Sequence, residues 1–193
     1  MRRGGIRHAM NSPASRVEKK TVCVFCGSSP GARPSYLETA RRAGELIGEK
    51  GHTLVYGGGA TGMMGELARA AMKAGARVIG IRPTVLDHLE LPQGGIEMVP
   101  TPDLFERKQR MIGRSDAFLI LPGGLGTLDE FFEVVTTAQL GMHALPVVLV
   151  NTEGYFEPLL ALFRHVDAEG YIYGDVARLF YAAADVDEAF SRL

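Results

Sequence analysis

The residues best equipped for chemistry are a glycine turn and the carboxylates that follow it. In SDAFLILPGGLGTLDEFFEVVTTAQLG, which runs from Ser115 to Gly141, Gly123, Gly124 and Gly126 separate an apolar run from an amphipathic pattern. Glycines let backbone approach a ligand closely, and a helix opening behind them favours an anion through its N–H groups and dipole. Asp129, Glu130 and Glu133 then fall on the first turns of that predicted helix. An anion cradle beside acid/base groups is what a phosphorylated substrate requires of an enzyme. The same residues have a purely structural reading. Thr127 as N-cap with Glu130 at N3 is a capping box, and acidic residues in a first turn complement the dipole without any catalysis. Spacing alone leaves both readings open.

A second glycine turn, Gly57-Gly58-Gly59-Ala60-Thr61-Gly62, fits G-x-G-x-x-G between a predicted strand and helix. The acidic residue a dinucleotide site expects about 20 positions on is absent, and the strand there ends in Arg82-Pro83. Arg82 would suit a 2′-phosphate, so an NADP-binding oxidoreductase stands as one alternative, and a tight turn without ligand as another. No G-K-[ST] follows either turn, which excludes a Walker-type triphosphatase. Arg107 and Lys108 lie on a predicted helix leading into the apolar run, where a solvated charged face is the default explanation. Lysine is scarce, however: from residue 21 onward only Lys50, Lys73 and Lys108 occur, the first two in the last turns of surface helices. No cluster has metal-ligand spacing, so neither a metal nor another cofactor is expected.

The elements that must position these residues alternate along the chain. Strands are predicted at 21–27, 53–56, 77–81, 96–99, 117–121, 146–151 and 180–184. Helices are predicted at 35–50, 62–74, 103–114, from 127 onward, at 156–166 and from 187. The run at 117–121 is apolar without alternation, as in a parallel strand covered on both faces. This order predicts an α/β, Rossmann-like, doubly wound parallel sheet with helices on both faces, and ligands beyond the carboxyl ends of its strands. Helix 127–140 carries Leu128, Phe131, Phe132, Val134, Val135 and Leu140, more apolar residues than one sheet-facing stripe uses, which predicts a homodimer.

The 193 residues suit one domain, 21–193, behind a basic tail, 1–20, expected to be disordered. The tail carries a net +5 and the remainder a net −6, which argues against nucleic acid as a partner. No apolar run approaches the roughly 18 residues of a membrane span, and the Arg2-Arg3 pair has no apolar segment behind it, so a cytoplasmic location is expected. Cys23 and Cys26 lie three apart in a predicted strand and so face opposite sides; buried or loop thiols are expected rather than a redox or zinc pair.

Several blocks together resemble one family. PGGLGTLDE, from Pro122 to Glu130, resembles the PGGxGTxxE signature of the "lonely guy" family, the cytokinin riboside 5′-monophosphate phosphoribohydrolases. VCVFCGSS, VYGGGATGMMG, ERKQRM and AQLGMH…PVVLVNTEGYFEPLL resemble further family blocks, in family order. The resemblance implies a Rossmann-like dimer that cleaves a nucleoside monophosphate, AMP or prenylated AMP, to free base and ribose 5-phosphate. It implies Arg107 and Glu130 as catalytic residues, with Lys108 beside them. It implies a phosphate loop at Gly123, Gly124, Gly126 and Thr127, with Ser28, Gly57, Gly58, Gly59 and Thr61 opposite, and substrate contacts at Glu90 and Thr136. Leu104-Phe105 stand where the family commonly has Met-His. Members have carried the label lysine decarboxylase, a chemistry that needs a pyridoxal-bound lysine; no lysine here lies in an evident cofactor site. A non-catalytic Rossmann-like nucleotide or cofactor carrier is the competing class.

Overall fold

The computed structural model of the chain describes residues 18–86 and 91–193. The strands are β1 (Thr21–Phe25), β2 (Thr53–Tyr56), β3 (Arg77–Pro83), β4 (Glu97–Thr101), β5 (Ala117–Ile120), β6 (Val147–Val150) and β7 (Tyr181–Ala183). Between and after them come α1 (Pro34–Glu49), α2 (Gly62–Lys73), α3 (Leu104–Ile112), α4 (Leu125–Gln139), α5 (Glu157–Ala168) and α6 (Val186–Phe190). All strand pairs are parallel, in the order β4-β3-β2-β1-β5-β6-β7. The chain winds from β1 to one edge and resumes at β5 on β1's other side. The strand order therefore reverses between β1 and β5, and a crevice opens beyond their carboxyl ends.

Side-chain alternation along the strands divides the core into two layers. Val22, Val24 and Cys26 pack with Ala40, Ala43 and Ile47 of α1, Leu67 and Ala71 of α2, and Phe190 of α6. Cys23 and Phe25 pack on the other face with Met111 of α3, Phe131 and Val134 of α4, and Phe163 of α5. This is the doubly wound α/β fold that the alternating pattern predicts. Cys23 and Cys26 are buried and not joined by a disulfide, on opposite faces of the sheet, as their spacing requires. No helix of the described residues is long and apolar enough to cross a membrane. Residues 1–17, most of the expected tail, and Glu90 lie outside the described residues.

Two expectations about α4 need correction. The helix starts at Leu125, two residues before the predicted Thr127, and extended Gly124 is its N-cap with no side-chain cap bond. Thr127 is therefore the third helical residue and Glu130 lies in the second turn, so 127–130 is not a capping box. Glycine supplies the extended cap conformation, and the Thr127 side chain packs beneath Gly123, where any Cβ would collide with it. The apolar surplus on α4 is also smaller than its pattern implies. Phe131, Val134 and Val135 are buried in the chain's own core, whereas Phe132 and Leu140 are exposed, together with Leu125 and Met142.

Candidate active site

A cleft of about 300 Å³ lies at the reversal point, lined among others by Gly27 and Ser28 after β1, Gly57 after β2, Arg107 of α3, and Thr127 and Glu130 of α4. Two charged side chains from separate helices meet in it. Arg107 Nη1 donates to Glu130 Oε1 at 2.5 Å, and Arg107 Nε donates to the Ile81 carbonyl at 3.2 Å. Their side chains are only 13% and 6% exposed, so both charges lie largely out of water. Gly57 makes room for the guanidinium: a Cβ there would collide with Arg107 Nη2 and press on Met64 Sδ.

Burial pushes the Glu130 carboxyl above the ordinary carboxylate range, and the Arg107 guanidinium partly opposes that rise. A carboxylate held this way is destabilised in the resting site and is a strong electrostatic partner for positive charge developing beside it. Lys108, one residue after Arg107, points elsewhere. Its Nζ bonds Glu133 Oε2 at 2.8 Å and Asp129 Oδ1 at 3.2 Å, clamping α3 to α4. The Glu133 carboxylate, with Asp129 behind it, raises the Lys108 pKa despite its burial. Phe105 lies 5.6 Å below the ammonium.

The two glycine turns end differently. At α4, the N–H groups of Leu125, Gly126 and Thr127 precede the first intrahelical bond, Leu128 N–H to Gly124 O at 3.1 Å, and no side chain among the described residues caps them. Gly124, Leu125, Gly126 and Thr127 all line the cleft, so three donors and the positive end of the helix dipole are available to an anion there. At α2 two of the equivalent donors are used internally. Met63 N–H bonds the Ser29 carbonyl at 3.4 Å and Met64 N–H the Gly27 carbonyl at 3.2 Å. Gly62, at φ 55°, lies so close to Ser28 that no side chain fits. Arg82 is 3% exposed, not offered at the surface to a 2′-phosphate. The G-x-G-x-x-G pattern here makes a packing turn between α2 and the loop after β1.

The cleft thus brings together Ser28, Gly57, Arg107, Gly124, Gly126, Thr127 and Glu130. Gly123 sits just behind it, its Cα against Gly27. Gly58 and Gly59 turn towards the segment before β4: Gln93 N–H bonds the Gly58 carbonyl at 3.0 Å and Gly59 bridges Pro92. Thr61 Oγ1 donates to the Ser28 carbonyl at 3.0 Å, holding the loop rather than lining the cleft. Thr136 is exposed further along α4, in a separate apolar groove with Phe132, Leu162 and Tyr171. Sequence reasoning marked Leu104 only as a departure from the family pattern, and did not single out Cys26, Met64 or Leu125 as lining residues. The signal for Leu104 and Leu125 was available, since each directly precedes or interrupts a motif and is apolar where a helix begins.

With this geometry the chain matches, over residues 64–193, a family described as "Possible lysine decarboxylase". It is 43% identical over 185 residues to the probable cytokinin riboside 5′-monophosphate phosphoribohydrolase LOGL9 of Oryza sativa subsp. japonica, covering 95% of this chain and 82% of that protein. It is 41% identical over 175 residues to the cytokinin riboside 5′-monophosphate phosphoribohydrolase LOG7 of Arabidopsis thaliana, covering 90% and 81%. The chain belongs to the lonely guy family. The same fold occurs in the molybdenum cofactor carrier protein of Chlamydomonas reinhardtii, with a TM-score of 0.69 at 23% identity, covering 90% of this chain and 94% of that one.

The decarboxylase description attached to the lonely guy family implies pyridoxal phosphate, and the residues present do not fit it. A Schiff-base lysine needs a lowered pKa and a place in the cavity. Lys108 is held charged by two carboxylates and is absent from the cleft lining, and Lys50 and Lys73 stand at helix ends.

Proposed function

We propose that this cleft hydrolyses the N-glycosidic bond of an adenosine 5′-monophosphate, with a plain or prenylated base, to free base and ribose 5-phosphate. The observation that carries the reading is the buried Arg107–Glu130 pair beside three free N–H donors at the start of α4. The relatives' activities support it. The 5′-phosphate sits on the Leu125, Gly126 and Thr127 N–H groups, at the positive end of the α4 dipole. The bond from C1′ to the base nitrogen then breaks with its electron pair leaving on the base, and positive charge builds on the ribose. Glu130 supplies negative charge to that oxocarbenium-like centre and orients the attacking water. Arg107 holds Glu130 and stabilises the departing base. Water oxygen bonds C1′, and one water proton ends on the base nitrogen. Leu104 and Leu125 give the rim of the cleft an apolar character that tolerates a prenyl group.

Two features belong to the same proposal. The active form is a homodimer, with the exposed Phe132, Leu140, Met142 and Leu162 supporting an apolar interface on the α4–α5 side. Residues 21–193 form one catalytic domain acting in the cytoplasm, where two cysteines without a disulfide suit a reducing compartment.

Incubation with AMP and with prenylated AMP, followed by chromatography of the free base and ribose 5-phosphate, tests the activity. Release of base from at least one is expected. Intact nucleotide after prolonged incubation with folded protein would leave the carrier reading in its place.

A further inference from the structure

The phosphate end of the cleft is held from outside by residues the mechanism does not use. After β6 the chain makes a 3-10 turn, Thr152–Gly154, in which Glu153 adopts left-handed backbone at φ 51° and ψ 30°. It has the one positive φ of a non-glycine among the described residues. Such a conformation persists where its surroundings impose it. Arg33, the N-cap of α1, pairs with the Glu153 carboxylate at 2.8 Å. The turn delivers Tyr155, whose ring meets Tyr36 edge-on at 5.4 Å and Phe156 at 4.8 Å. The Tyr155 hydroxyl donates to the Gly123 carbonyl at 2.5 Å.

That carbonyl belongs to the peptide joining Gly123 to Gly124, the N-cap of α4. Two consecutive glycines leave a peptide free to rotate, since no Cβ restrains either side, and nothing lies within 4 Å of a Cβ built at Gly124. The preceding peptide, Pro122–Gly123, is anchored from the loop after β1, where Gly27 N–H bonds the Pro122 carbonyl at 3.1 Å. Tyr155 anchors the next one, Gly123–Gly124, so that successive peptides of the turn are each held.

We propose that Tyr155 is a positioning residue for the anion-binding loop. Its bond to Gly123 O holds the Gly123–Gly124 peptide so that the N–H groups of Leu125, Gly126 and Thr127 converge on the 5′-phosphate. The strained turn at Glu153, pinned by Arg33, aims the tyrosine. This inference rests on the phosphate reading of that loop.

Tyr155→Phe keeps both ring contacts and removes only the anchoring bond, so the fold is retained. The readouts are KM for AMP, the inhibition constant of inorganic phosphate against AMP hydrolysis, and the melting temperature without ligand. The loss of one hydrogen bond should raise KM and the phosphate inhibition constant by a common factor of about 5, with kcat within about twofold. The melting temperature should stay within about 2 °C, where a purely structural role would lower it and leave phosphate affinity alone. Arg33→Gln, which loosens the turn without touching Tyr155, should shift the same two constants in the same direction by a smaller factor. Unchanged phosphate inhibition in Tyr155→Phe, against clear inhibition of the wild type, would overturn the proposal and leave the phosphate loop intact. Wild-type hydrolysis insensitive to inorganic phosphate at tens of millimolar would overturn the loop reading itself, and this inference with it.

Discussion

Glu130 shows how one side chain can cost stability and supply activity. Its folded pKa is raised by burial, so its contribution to stability is complete below the unfolded carboxylate pKa and is lost as pH rises through the folded value. At neutral pH the ionised carboxylate is therefore a net burden, eased by Arg107 but not removed. Glu130→Gln keeps an acceptor for Arg107 and never carries that charge. Its melting temperature at pH 7 is expected to equal or exceed the wild type's, while hydrolysis falls by about 100-fold or more, the scale of a lost electrostatic group. Calorimetry and steady-state kinetics on one preparation check both halves. Near-normal turnover would return Glu130 to a structural role. Hydrolysis that needs the ionised form should also fail on acidification at a pH above the ordinary carboxylate range. A wild-type pH–kcat/KM profile should show that acid limb, and residual activity in Glu130→Gln should lack it.

At the scale of elements, catalysis depends on how α3 and α4 meet. Gly57→Ala would drive a methyl into the Arg107 guanidinium, breaking the approach of α3's charge to α4's without touching the phosphate donors. It should cut kcat by at least about tenfold and leave phosphate inhibition nearly unchanged, a pattern that separates pair geometry from anion binding. Gly126→Ala is its complement. A Cβ there meets nothing, and alanine in place of a helical glycine adds up to about 1 kcal/mol. A higher melting temperature with a raised KM for AMP is expected, since the methyl crowds the anion. The Lys108 clamp holds the two helices in register. Asp129 and Glu133 are 63% and 39% exposed, so water screens much of its Coulomb energy. Lys108→Met should therefore cost only about 1 kcal/mol in urea unfolding, and kcat should fall a few-fold as Arg107 loses its fixed base.

For the molecule as a whole, a second set of exposed apolar residues lies away from the cleft, on α4 and α5. Phe132, Leu162 and Tyr171 line a groove of about 250 Å³, and Leu140 and Met142 are exposed just after α4. Multi-angle light scattering at micromolar concentration is expected to give twice the chain mass of 20.9 kDa. A charged substitution, Phe132→Glu, should shift it to the monomer. A wild-type mass of one chain would remove the dimer. Buried Phe131, Val134 and Val135 already serve the chain's own core, so the interface must rest on the remaining residues.

The sequence by itself determined the alternation of strands and helices, because periodicity records which faces are buried and glycine marks where the chain turns. It also placed Cys23 and Cys26 on opposite faces, a consequence of strand geometry alone. Arg107 and Glu130 were legible as charges in motifs, but 23 positions apart their contact is a property of the sheet order, which sets α3 against α4. Two matters were decided only by tertiary structure. The start of α4 moved to Leu125 because Gly124 can cap without a side chain, which turned Glu130 from a candidate cap into a buried partner of Arg107. And two glycine turns of similar sequence separated in kind. Local pattern gives both a helix N-terminus, but the carbonyls of Gly27 and Ser29, brought from the loop after β1, occupy two donors of α2, while no acceptor among the described residues reaches those of α4.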